Sequence, residues 1–162
     1  GWEKHLTPAW ILKTTFHWEQ TFPAGTEVVV EHRYRPAVGG SVDTMVGSAD
    51  WSTDDYAREM RQRYCIDDSF VAGVRAGARG AAPMGYTERR IAYVLKTGAN
   101  WAKPIGDFRL VIDKGDARNL VSFCASGVKK ISPTRFEVRK TNWRPEQDLY
   151  ILLLRPHGLP DE

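Results

Sequence analysis

Apolar and polar positions alternate in two consecutive stretches near the start of the chain. From Thr15 to Phe22, Phe16, Trp18 and Phe22 share one parity while His17, Glu19 and Thr21 take the other. Thr26 to Tyr34 resumes the alternation with Val28, Val30, His32 and Tyr34 on one side, and Pro23-Ala24-Gly25 between the two runs is a turn signal. The spacing predicts a hairpin of two half-buried strands. After a loop containing Pro36, Gly39, Gly40 and Ser41 the period changes. Ser52-Thr53-Asp54-Asp55 reads as a helix start, a hydroxyl cap with an acid three residues on, ahead of Tyr56 to Gln62. Asp67 or Asp68 is placed to cap a second helix over Ser69 to Ala76, with Phe70, Val71 and Val74 on one face and Gly77, Gly80, Pro83 and Gly85 ending it.

From residue 88 onward the alternation returns in five short runs: Ile91 to Leu95, Phe108 to Ile112, Leu120 to Cys124, Phe136 to Val138, and Leu149 to Leu153. Asp113-Lys114-Gly115-Asp116 and Ser132-Pro133-Thr134 join some of them by tight turns, a spacing that suits antiparallel pairing better than crossover helices. The pattern therefore predicts a mainly β chain: an antiparallel β-sandwich of about seven strands, Ig-like in general architecture, with a short helical insertion at about 52–80. A length of 162 residues is that of one domain, taken here as 1–162.

Composition adds only bounds. With 42% hydrophobic and 27% charged residues the chain can bury a core. Its longest apolar run, Leu149 to Leu154, is far shorter than the roughly 18–20 residues of a membrane span. The chain opens on Gly1 with no basic-then-apolar leader, which reads as a piece of a longer protein. Lys and Arg number 23 against 20 acidic residues, a net charge of +3. The surplus gathers in Lys129, Lys130, Arg135, Arg139, Lys140 and Arg144. Because Arg135, Glu137 and Arg139 alternate with Phe136 and Val138, this is read as the solvated face of a strand and not as a nucleic-acid footprint.

Cys65 and Cys124 fit a disulfide, two buried thiols or a single nucleophile, and their positions do not choose among these. As a bridge they would close a loop worth on the order of 4 kcal/mol in the chain-entropy model. Lys96-Thr97-Gly98 and Ser126-Gly127-Val128-Lys129 match pieces of the penicillin-binding enzyme signature, but in reversed order and without its third element. His5, His17, His32 and His157 have no zinc-pair spacing, and no phosphate loop or dinucleotide fingerprint occurs, so no cofactor or metal is expected. His32, among Val28, Val30 and Tyr34, is read as a core histidine. Asp54-Asp55 and Asp67-Asp68 fit helix capping at least as well as acid–base work. The segment Thr97 to Gly106 combines glycines, an aromatic and polar tips, which suits a binding loop, with Lys96, Thr97, Asn100 and Trp101 as its ligand-binding candidates. Trp51 and Trp101 lie in loops, where they either plug the ends of the sandwich or stack on a ligand.

Together, Trp18 to Gly25, Val30 to Tyr34, Tyr64-Cys65, Thr97 to Trp101 and Val121 to Cys124 resemble the bacterial family catalogued as domain of unknown function 4424, from about Trp10 to Leu154. That resemblance implies a signal peptide and a further β-rich N-terminal region, so that this chain would be the C-terminal portion of an exported, periplasmic or secreted protein. An oxidising compartment in turn favours the Cys65–Cys124 disulfide. The resemblance implies no activity and no catalytic residue. The expected function is a non-catalytic binding or structural domain. Its partner would be an envelope protein, a glycan or the protein's own N-terminal region, with no nucleic acid and no transmembrane segment. The alternative is a hydrolase assembled in space from His32 or Cys65 with Asp67 or Asp68.

Overall fold

The computed structural model describes residue 15 and residues 17–159, apart from the Ser52 side chain. The contacts within the chain fall into two units, Gly1–Tyr34 and Arg35–Glu162. The second carries all the strands and helices among the described residues: β1 (Gly39–Ser41), α1 (Asp55–Tyr64), α2 (Asp68–Ala78), β2 (Tyr86–Tyr93), β3 (Ile105–Asp113), β4 (Leu120–Phe123), β5 (Lys129–Lys130), β6 (Arg135–Trp143) and β7 (Leu149–Pro156). They form two antiparallel sheets, one of four strands in the order β1-β2-β7-β4 and one of three in the order β3-β6-β5.

The run Leu149 to Leu154 becomes β7, a central strand hydrogen-bonded to β2 on one side and to β4 on the other. Successive side chains of a strand point to opposite faces, so an unbroken apolar run requires cover on both. Leu152 and Leu154, each at 0% exposure, pack with Trp51, Ala57, Met60, Tyr64, Val71 and Val74 of the helical layer. Leu149 and Ile151 join Ile112, Leu110, Val121 and Phe123 between the two sheets. The helical insertion is thus a third layer, which closes the outer face of the four-stranded sheet. Burying each of these leucines is worth about 1.5–3 kcal/mol.

The helices start on carboxylates. Asp54 accepts the backbone N–H of Tyr56 at 2.8 Å, and Asp67 accepts that of Phe70 at 2.7 Å together with the Ser69 hydroxyl at 2.7 Å. The first helix is therefore capped by Asp54 and not by a hydroxyl, in line with reading Asp54-Asp55 and Asp67-Asp68 as capping carboxylates, and both caps also suit the helix dipole. Helix α1 ends at Cys65 in a left-handed conformation, φ 53°, whose N–H returns to the carbonyl of Arg61. The Ser122 hydroxyl, buried on β4, donates to the Tyr64 carbonyl at 2.9 Å, and Cys65 is joined to Cys124 just past β4 by a disulfide with Cα atoms 5.0 Å apart. At the other side of the layer the buried Glu88 of β2 accepts from Thr44 Oγ1 at 2.7 Å and from the Arg90 guanidinium, which also donates to the Tyr56 hydroxyl. Burial, reinforced by the Glu88 carboxylate, raises the pKa of that phenol.

The hairpin expected over Thr15 to Tyr34 is the main departure. Among the described residues of that stretch there is no paired strand, only a turn at Ala24-Gly25 closed by Thr26 N–H to the Pro23 carbonyl at 3.4 Å. Trp18 is 61% and Phe22 67% exposed, and His32 is an exposed residue with its ring 4.9 Å from that of Trp18 instead of a core histidine. Alternation makes a strand only where something covers the apolar parity, and here these side chains are left open to solvent. The strand count is completed instead by the short β1 and β5, whose glycines and lysines carry no apolar pattern; each is held by its longer neighbour. Trp2, His5, Trp10 and Phe16 lie outside the described residues.

Two glycines of α2 give opposite expectations. A Cβ on Gly77 would fall 1.8 Å from the hydroxyl of the buried Tyr86, whereas one on Gly73 meets nothing within 4 Å. Gly77→Ala is expected to lose about 1–3 kcal/mol through overpacking and Gly73→Ala to gain about 0.5–1 kcal/mol from helix propensity. Urea midpoints of the two variants check both signs.

Candidate functional site

The loop between β2 and β3 is built on a short 3-10 turn, Lys96–Asn100, and its backbone is held from two directions. Asp148, just before β7, accepts the N–H groups of Leu95 and Lys96 at 2.9 and 3.0 Å. Arg144, just after β6, donates to the carbonyls of Ala99, Trp101 and Ala102 at 3.0, 3.0 and 3.3 Å. Gly98 is buried against Pro145, whose Cγ would be 3.2 Å from an added Cβ, a contact tight enough that a larger residue would press the two segments apart by a few tenths of an ångström. Lys96, Thr97, Asn100 and Trp101 are all exposed, with Trp101 at 62%. The loop backbone is thus fixed by the fold while the Trp101 indole is left open to solvent. Trp51, the other loop tryptophan, is instead 1% exposed within the helical layer, with the Arg61 guanidinium 5.6 Å above its ring.

Next to this loop the two sheets leave a cleft of about 280 Å³. Phe108 and Leu110 of β3, Trp143 of β6 and Leu149 of β7 line its apolar side. Ser126, Lys140, Gln147 and Asp148 supply polar groups. Lys140 donates to the Ser126 carbonyl at 2.9 Å and hydroxyl at 2.6 Å. The Phe108 and Trp143 rings are 4.5 Å apart and tilted by 43°. Of the four loop residues singled out by sequence, none lines this cleft; they sit on its flank through Leu95 and Asp148. The sequence did hold a signal for it, since Phe136, Val138 and Lys140 share one parity of β6, and a lysine at an inward position is out of pattern.

A second cleft, of about 250 Å³, lies at the β3–β4 turn. Lys114 is buried there, its ammonium donating to the carbonyls of Ala117 and Asn119, and burial lowers its pKa. Asp113 is held down to about 2, first by Arg135 and then by the Gly115 N–H, and Asp116 is lowered by Arg118. These contacts close the turn, although the buried Asn119 Oδ1 beside them has no hydrogen-bond partner.

The hydrolase candidates are separated by their bonding. Cys65 is in the disulfide, Asp67 caps α2, and Asp68 pairs with Arg61 at 3.0 Å. His32 belongs to the first unit. Among the described residues no three His, Cys, Asp or Glu side chains form a group able to hold a metal ion, and no helix is long and apolar enough to cross a membrane. Of the six basic residues singled out by sequence, four have partners: Arg135 pairs with Asp113, Arg139 with Glu137, Lys140 with Ser126, and Arg144 with the loop, while Lys129 and Lys130 form the exposed strand β5 beside β6.

This chain is a two-sheet β protein with a disulfide-anchored helical layer, and a family model described as a domain of unknown function (DUF4424) matches its residues 2–152. It belongs to that family. No curated protein and no solved structure matches it at a significant level.

Removing the Arg144 guanidinium should free the loop without melting the sandwich. Arg144→Ala is expected to raise amide hydrogen exchange over residues 96–102 while the global unfolding midpoint moves little, because the lost bonds are exposed and local. Exchange measured by mass spectrometry checks this.

Proposed function

We propose that the chain is an exported, non-catalytic binding domain that engages an envelope glycan or a protein partner at the end of the sandwich bearing Lys96, Thr97, Asn100 and Trp101. The observation that carries this reading is the exposed Trp101 indole on a loop held by Arg144 and Asp148, beside an open cleft. Holding a large apolar ring in solvent has no folding benefit, whereas aromatic anchors on rigid loops are what interfaces use. The Cys65–Cys124 disulfide supports a periplasmic or secreted location, since such bridges persist in oxidising compartments. The hydrolase reading has less support, because Cys65 is not a free thiol and Asp67 and Asp68 have structural partners.

Two measurements test the proposal. Alkylation of denatured, non-reduced protein taken from an oxidising compartment is expected to label neither cysteine; two labelled thiols would remove the support for export. Trp101→Ala is expected to lose most of the binding to cell-envelope material in co-sedimentation with its thermal midpoint unchanged. Full retention of binding would move the site away from this loop.

A further inference from the structure

We propose that the cleft between the sheets, beside the Trp101 loop, holds a single neutral saccharide ring of the ligand, an inference that rests on reading the domain as a binding module and that adds to the loop contact a second, separable subsite. Three features point there. The first is Lys140. Its register partner on β3 is Phe108, and it shares the inward parity of Phe136 and Val138, so the fold places an ammonium where a sandwich ordinarily closes with an apolar side chain. Two of its protons have an acceptor in Ser126, the carbonyl at 2.9 Å and the hydroxyl at 2.6 Å. An ammonium carries three, which leaves one donor for a ligand oxygen.

The second feature is the aromatic floor. Strict alternation from Lys140 would send Trp143 to the opposite face of β6, yet its ring lies 4.5 Å from Phe108 in the cleft. The residue between is Asn142, in the left-handed region at φ 48°, one of two non-glycine residues so placed among those described. Asparagine tolerates that conformation but gains nothing from it by itself, and such departures gather at binding sites. Here the departure brings a second aromatic ring to the mouth of the cleft.

The third feature is size and polarity. A volume of about 280 Å³ is at the low end of small-molecule sites, which suits one ring and not an extended chain. The lining pairs Phe108, Leu110 and Trp143 with the Ser126 hydroxyl, the Lys140 ammonium and the Gln147 amide. A purely aliphatic ligand would leave Lys140 and Ser126 without partners for the groups they present, a costly outcome. An anion would meet the carboxylates of Glu146 and Asp148, which also line the cleft. A pyranose answers both demands, with an apolar C–H face for the rings and hydroxyls that donate and accept at one edge.

The test is a titration with the methyl glycosides of glucose, galactose, mannose and N-acetylglucosamine, followed by two-dimensional amide and indole NMR on the intact chain. At least one is expected to bind saturably in the millimolar range with shifts at Ser126, Lys140 and the Trp143 indole. Lys140→Met, which keeps the stem and loses the ammonium, should weaken that binding about tenfold, and Trp143→Leu by at least as much. Trp101→Ala should leave single-ring affinity within about twofold. If Trp143→Leu does not fold, Lys140→Met decides alone. Absence of cleft shifts with all four glycosides overturns the proposal. So does binding that is lost in Trp101→Ala and retained in Lys140→Met, which would keep the binding-module reading and return the site to the loop. Saturable binding of a capped tryptophan peptide without any glycoside would likewise overturn the saccharide and favour a protein partner.

Discussion

Strand β7 is apolar on both faces, and the rest of the Arg35–Glu162 unit is arranged to cover it. Leu152 and Leu154 look into the helical layer while Leu149 and Ile151 look into the space between the sheets. A strand of this kind has to be central, because an edge position would expose one of its two apolar rows or leave its backbone groups unpaired. The flanking strands β2 and β4 follow from that requirement, and so does a layer on each side. Without the two helices the four-stranded sheet would present Leu152, Leu154 and Tyr86 to water.

The helical layer is secured chiefly at its corners. One corner joins α1 to β4 through the Cys65–Cys124 disulfide and the Ser122 hydroxyl on the last carbonyl of the helix. The other joins α1 to β2 through Tyr56, Arg90 and Glu88. Glu88 is a buried carboxylate made tolerable by a guanidinium and a threonine hydroxyl, so removing the Arg90 guanidinium would leave a buried charge without compensation. The left-handed Cys65 has a double use: it stops α1 and turns its sulfur toward β4.

At the end of the sandwich near the β2–β3 loop the layers do not close. Three segments that are distant in sequence meet there: the 3-10 turn at Lys96–Asn100, the exit of β6 at Trp143 to Pro145, and the entrance of β7 at Asp148. Each supplies the hydrogen bonds another lacks, which fixes the loop backbone and leaves Trp101 outside it. The inner faces of the sheets diverge enough beside this junction to leave room next to Lys140 and the Phe108–Trp143 pair. Arg144 and Asp148 thereby hold the frame of the loop, while the Lys96, Thr97, Asn100 and Trp101 side chains stay exposed.

By itself the sequence determined the class of fold, the two helix starts and most of the long strands, because these depend on local quantities: side-chain period, turn residues and carboxylates able to cap. It also carried the family assignment in several dispersed blocks. It could not distinguish a covered alternation from an uncovered one, so Thr15 to Tyr34 reads like a strand pair although Trp18 and Phe22 are exposed. It could not show that the apolar run at Leu149 to Leu154 is a doubly buried strand, since a run of that length fits more than one element. That Cys65 and Cys124 lie within bonding distance, which loop tryptophan is buried and which is open, and the cleft lined by Lys140, Ser126, Phe108 and Trp143 were decided only by tertiary structure. All are juxtapositions of residues far apart in the chain, and local pattern does not record which distant segments will share a face.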